Sequence, residues 1–268
     1  MAKYIIPKKE VVVMVGQSNS GGHNNDAINA TITSTNDGSI FYKPSFLLSN
    51  DGGWQSPIAT GVNNTQSSRT GTYQDIGMEF KLSNLLKAYN GEHHYIIKLT
   101  YGGSEITKVA AQLDLNPDSI DEYYKIATKY TFQNAIEQLA GSGKVRIKAI
   151  TFHQGEAEGA NQTWANDYYN SSNPVDYTNP LPYFFQEFKS YNKLLNDTKV
   201  LITKVYTNTA GYPYTTIVAN KQVDYSNNNS LDLIDMDNVT TFMADNVHWD
   251  APSQEQKGTN VFNTIKDW

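Results

Sequence analysis

The chain is predicted to be an α/β protein, a three-layer α/β/α sandwich around a central parallel sheet. Two observations carry this prediction. Short β-branched runs alternate with segments of helical periodicity, which implies parallel strands joined by crossover helices. Three of the runs also end in unusual polar motifs, as expected where a parallel sheet builds a site beyond its strand ends.

Val11–Val15 is a continuous apolar run closing at Gly16, the pattern of a buried parallel strand followed by a turn. Residues 17–74 are rich in Asn, Ser, Thr and Gly and read as loop, with short strands at Ile40–Tyr42 and Ser45–Leu48. Met78, Leu82, Leu85, Leu86 and Tyr89 have helical spacing, and Gly91 closes that helix. Tyr95–Leu99 is a second strand. Ser119 and Glu122 form a capping-box pattern at the head of a helix running to Gly141. Arg146–Phe152 is a third strand, residues 157–180 a polar loop, and Leu181–Leu195 a helix with Pro182 in its first turn. Val200–Val205 and Leu231–Met236 read as further strands, and Pro252–Ile265 as a closing helix. No linker or internal repeat divides the chain, so residues 1–268 are read as one domain.

Composition narrows the function. The net charge is −6 and no basic stripe exists, which argues against nucleic acid as a partner. No apolar run of about 18 residues is present, so no membrane insertion is expected. Met1–Val15 is interrupted by Pro7, Lys8, Lys9 and Glu10 and lacks a small-residue cleavage site, so it does not read as a signal peptide. With no cysteine, disulfides and thiolate metal sites are excluded. No His-Glu-x-x-His pattern occurs, and neither a metal nor an organic cofactor is implied. Charged residues are only 18% of a chain rich in Asn, Thr, Ser and Tyr. That surface suits carbohydrate, and equally any secreted or viral protein.

The polar motifs are Gly16-Gln17-Ser18-Asn19, Gly102-Gly103-Ser104-Glu105 and His153-Gln154-Gly155-Glu156. Ser18 lies two residues beyond the first strand, where it is either a nucleophile or an ordinary loop or N-cap serine. Gly16 and Gly21 have phosphate-loop spacing, but Gly22-His23 stands where Lys-Ser/Thr is required. A serine nucleophile needs a base, and the base an orienter. Of five histidines, only His248 has a carboxylate three residues earlier, Asp245, next to the final helix. His93 and His94 precede a strand, away from the expected rim.

In order, the Gly-Gln-Ser-Asn, Gly-Gly-Ser, His-Gln-Gly-Glu and Asp-x-x-His motifs resemble the SGNH hydrolases, and within them the sialate O-acetylesterase and carbohydrate esterase family six branch. The resemblance runs from Val11 to the C-terminus and implies a flavodoxin-like sandwich. It implies Ser18 as nucleophile, His248 as general base and Asp245 as its orienter. It also implies an oxyanion hole from the Ser18 N–H, the Gly103 (or Gly102) N–H and the Gln154 side-chain amide. Gly-Gln-Ser replaces the Gly-Asp-Ser of lipase-like members, and Gln154 replaces their Asn. Both changes favour acetylated sugars over lipids, although Gly-Ser-Glu stands where the branch more often has Gly-Thr. Gln17, Glu156 and Trp249 are candidate substrate contacts, with Glu156 alternatively orienting Gln154 or serving as a structural acid. Trp54 and Trp164 are further candidate sugar platforms. The resemblance implies a serine esterase removing O-acetyl groups from a polysaccharide or sialylated glycan. The alternative is a non-catalytic carbohydrate-binding module or phage tail adhesin on the same fold. Extracellular or virion-associated action, as part of a phage tail or cell-surface assembly, is compatible with the composition.

Overall fold

A computed structural model describes residues 8–22, 31, 37–42, 53–55, 76–100, 105–106, 120–141, 143–207, 209, 211–238 and 241–268. The elements in chain order are β1 (Lys8–Gly16), α1 (Ser18–Gly21), β2 (Gly38–Tyr42), β3 (Gly53–Gln55), α2 (Met78–Asn90), β4 (His94–Thr100), α3 (Ile120–Ala140) and β5 (Lys144–His153). There follow α4 (Gln162–Asp167), α5 (Pro180–Ser190), β6 (Val200–Thr203), α6 (Thr215–Asn229), β7 (Asp232–Ile234) and α7 (Ala251–Ile265).

The strands form one sheet in the order β3-β2-β4-β1-β5-β6-β7. All pairs are parallel except the short edge strand β3, which runs antiparallel to β2. β1 is central because every residue from Val11 to Val15 is apolar and none is exposed. Its alternating side chains divide the core in two. Val11, Val13 and Val15 pack with Phe132 of α3, Phe185 of α5 and Val218 of α6. Val12 and Met14 pack with Leu82 and Leu86 of α2 and Val261 of α7. Helices therefore cover both faces, giving the expected three-layer α/β/α sandwich. The chain moves from β1 to one side of the sheet and later crosses to β5 on the other. The carboxyl end of β1 is therefore a topological switch point, where such sheets bind ligands.

The helix ends follow their capping residues. Gly91 adopts a left-handed conformation (φ 75°) and its N–H returns to Lys87 O, ending α2. The Asp250 carboxylate accepts the Ser253 N–H at 3.0 Å and starts α7 one residue before Pro252. α5 stops at Ser190 rather than Leu195, because the Asn192 side chain accepts the Leu194 N–H and opens a separate 3₁₀ turn over Lys193–Leu195. Within 157–180 the chain is not all loop: Asn161 caps α4 by accepting from Thr163 and Trp164. The expected strand Ser45–Leu48, the Ser119 cap, and Gly102 and Gly103 lie outside the described residues. Among the described residues no helix is long and apolar enough to cross a membrane.

Candidate active site

β1 ends at Gly16, whose φ of 142° is open only to glycine at low strain. A Cβ there would sit 1.9 Å from the carbonyl oxygen of His153, at the end of β5. The Gln17 N–H donates to that same carbonyl at 3.2 Å, tying the ends of the two strands together. Replacing Gly16 with alanine is expected to cost more than about 3 kcal/mol, since both backbone strain and a backbone clash must be relieved. An unchanged thermal midpoint for Gly16→Ala would count against this account of the turn.

Gln17 is the N-cap of the single-turn helix α1, and Ser18 is its first helical residue. The N-cap alternative for Ser18 is thereby excluded. Its hydroxyl makes no hydrogen bond with any described residue, and the residue is only 6% exposed. Asn19 connects this turn to the C-terminal segment. Its side-chain oxygen accepts the Trp249 N–H at 2.9 Å, and its amide donates to Val247 O at 3.1 Å. The residues on both sides of His248 are thus bonded to the residue following Ser18.

The Asp-x-x-His segment is a tight turn. Asn246 takes a left-handed conformation (φ 55°), its N–H donates to Met243 O at 2.9 Å, and the Met243 N–H donates to His248 O at 2.8 Å. One Asp245 oxygen accepts the Val247 and His248 N–H groups at 2.9 and 3.0 Å. The other lies 2.6 Å from His248 Nδ1. Burial raises the Asp245 pKa, but these hydrogen bonds and the imidazole outweigh it and hold the carboxyl below its usual range. With the carboxylate on Nδ1, Nε2 lies at the opposite edge of the ring, the nitrogen that a general base at this position would use.

Gln154 follows β5 and is almost fully buried. Its side-chain amide donates to both oxygens of Glu158, at 3.1 and 2.9 Å. Its carbonyl accepts from the Tyr168 hydroxyl at 3.0 Å and from the Gln222 amide at 2.7 Å. Glu158 also accepts the Ile106 N–H at 2.5 Å. One carboxylate therefore orients Gln154 and anchors the chain just after Gly103. Gly155, at φ 131°, makes room for Val218, whose Cγ1 would lie 2.7 Å from a Cβ there.

The candidate substrate contacts are placed behind the serine turn. Glu156 is 2% exposed and accepts from the Gln17 amide at 2.6 Å and the Asn19 amide at 2.9 Å. His153 Nε2 lies 3.0 Å from its Oε1. Burial opposes the charge of Glu156, yet the imidazole and these hydrogen bonds hold its pKa down at about 2. Gln17 is 3% exposed and Trp249 1%, its ring packed on His153 at 4.6 Å. A sugar platform needs an open ring face, which Trp249 does not offer. Trp54 packs edge-on to Phe41 and Tyr95, at 5.4 and 5.1 Å. Trp164 is half-buried in the first turn of α4.

Glu158, Tyr168, Gln222 and Lys257 at the site were not singled out from the sequence, and Asn19, named there as part of the first motif, was given no role. Lys257 is 1% exposed, and its place on the buried face of α7, four residues from both Ser253 and Val261, is the signal that marks it.

A sequence model of the family described as carbohydrate esterase, sialic acid-specific acetylesterase, matches residues 8–266. No curated protein matches the chain. Among solved structures, a protein of Arabidopsis thaliana is similar, with a TM-score of 0.65 at 16% identity over 97% of this chain and 98% of that one. NanS is similar with a TM-score of 0.62 at 13% identity, over 97% and 98%. The carbohydrate acetylesterase XAC1771 of Xanthomonas citri has a TM-score of 0.57 at 14% identity, over 96% of this chain and 56% of that one. At these identities the likeness is one of fold.

Proposed function

Because the chain belongs to the carbohydrate esterase family of sialic acid-specific acetylesterases, and is thus a carboxylic ester hydrolase, we propose that it removes O-acetyl groups from a glycan through Ser18, His248 and Asp245. The observation that carries this reading is the Asn19 side chain. It binds the backbone on both sides of His248 and so docks the Asp245–His248 turn beside Ser18.

His248 Nε2 takes the Ser18 Oγ proton as Oγ attacks the acetyl carbonyl carbon. The carbonyl electron pair moves onto oxygen, which is stabilised by the Ser18 N–H, the N–H of Gly103 (or Gly102) and the Gln154 amide. Collapse of this intermediate breaks the bond to the sugar oxygen, and His248 returns its proton to that leaving group. Water, deprotonated by His248, then hydrolyses the acetyl-enzyme. Asp245 stays ionised and holds the imidazole in the tautomer this requires. The mechanism requires a Ser18–His248 hydrogen bond, of the kind that commonly tightens only once substrate is bound.

The test is acetate release from O-acetylated sialic acid and from acetylated xylan, alongside p-nitrophenyl acetate and butyrate. The expected result is turnover of acetyl esters, weak turnover of butyrate, and preference for one of the two glycans. Tight binding of an acetylated glycan with no acetate release would replace the esterase reading with the binding-module one.

A further inference from the structure

Lys257 has no part in the triad or the oxyanion hole, yet it is one of the largest side chains fully buried among the described residues. Its Nζ donates to Asn19 O at 3.3 Å and lies 2.8 Å from His153 Nδ1. It also sits 5.6 Å from the centre of the Trp249 ring. A buried ammonium is costly unless its hydrogen-bonding groups are satisfied. These partners all border the nucleophile turn.

The geometry points to Lys257 as a positioning residue that fixes the orientation of Ser18 through the Asn19 carbonyl and through His153 and Glu156. This rests on the reading of Ser18 as nucleophile. An ammonium has no lone pair, so it donates to Nδ1 and leaves the His153 proton on Nε2. Nε2–H then faces Glu156 Oε1 at 3.0 Å, an electrostatic contact rather than an aligned hydrogen bond, and that carboxylate accepts from Gln17 and Asn19. This chain of contacts grips the residue before Ser18 and the residue after it.

The exit of α1 is held in the same manner. Lys98, paired with Glu79 at 2.8 Å, donates to Gly21 O at 2.7 Å. A one-turn helix cannot satisfy its own last carbonyls, and here two ammonium groups, Lys257 and Lys98, bond two of them.

The groups facing Lys257 are His153, Glu156, Lys98 and Glu79. Burial lowers its pKa to about 7, with Lys98 adding to the shift and Glu156 and Glu79 opposing it. Once the proton is lost, the amine accepts from Nδ1–H instead, and Nε2 no longer turns a proton toward the Glu156 carboxylate. The grip therefore weakens as pH rises through neutrality.

The experiment compares wild type with Lys257→Met on p-nitrophenyl acetate across pH. Amide hydrogen exchange of the peptide covering residues 15–22 is followed in parallel. The expected result is a fall in kcat of about 10- to 100-fold with KM within about threefold, since ground-state binding is untouched while attack geometry is lost. Exchange in 19–22 should quicken, and the alkaline limb of the wild-type kcat profile near pH 7 should vanish in the variant. If Lys257→Met does not fold, Lys257→Gln, which keeps an N–H donor for Asn19 O without the charge, should show the same changes to a smaller degree. An unchanged kcat, with or without faster exchange, overturns the proposal. Wild type inactive on every ester would instead sink the nucleophile reading, and exchange alone would then decide whether Lys257 holds the turn.

Discussion

Ser18→Ala is expected to lower kcat for acetyl esters by about 10⁴- to 10⁶-fold, the loss seen when the nucleophile of a serine triad is removed. The fold should be indifferent to the change. The hydroxyl bonds to no described residue and Gln17, not Ser18, caps α1, so the thermal midpoint should move by no more than about 0.5 kcal/mol of stability implies. Loss of rate without loss of stability is the signature of a group that acts only on substrate. His248→Ala should cost a comparable factor. The double variant should be little worse than either single one, because residues acting as a unit are not additive. Labelling by a fluorophosphonate should add its mass to Ser18 in wild type and fail in Ser18→Ala. Activity of Ser18→Ala within tenfold of wild type would remove Ser18 from the mechanism.

The second large effect is on stability. Glu156→Ala leaves the Gln17 and Asn19 amides and the His153–Lys257 pair facing a cavity with no anion. Breaking a buried, paired charge costs about 3–5 kcal/mol. The acid dependence should change with it. In wild type the folded-state pKa, about 2, lies below the ordinary 4.5, so the unfolded chain binds the proton more readily. The stability this carboxylate contributes is therefore complete above about pH 4.5 and is lost as pH falls toward 2. Urea midpoints measured at pH 7, 4 and 3 should decline less steeply in Glu156→Ala than in wild type. Parallel declines would show that another group governs acid unfolding. Activity should fall as well, since Gln17 and Asn19 flank Ser18.

The strands and the serine turn were legible because a central parallel strand must be apolar on both faces, and Val11–Val15 can be little else. α6 was not legible. Its buried positions, Thr215, Val218, Ala219, Gln222, Tyr225 and Ser226, have helical spacing, but half of them are polar. Hydrophobicity alone misses such a face. Gln222 is buried to donate to Gln154 O and accept the Val205 N–H at 2.8 Å, so a residue type that reads as surface is fixed by the site it supports. Trp249 differs in the opposite direction: an aromatic face can stack on a pyranose ring, yet this ring is buried against His153. Asp245 and His248 could be paired from their spacing, but the Asn19 bridge that docks their turn depends on contacts more than 200 positions apart in the chain.

Glu158 gives the molecule a unit of exchange. A single carboxylate holds the Gln154 side chain and the Ile106 amide, so Ile106 is coupled to Gln154. Loops transplanted between esterases of this fold are expected to work only if this junction travels with them. A graft carrying new residues beyond position 106 should retain catalysis when Glu105, Ile106 and Glu158 are kept as a set. Grafts cut through that set should lose acetate release while the fold is kept.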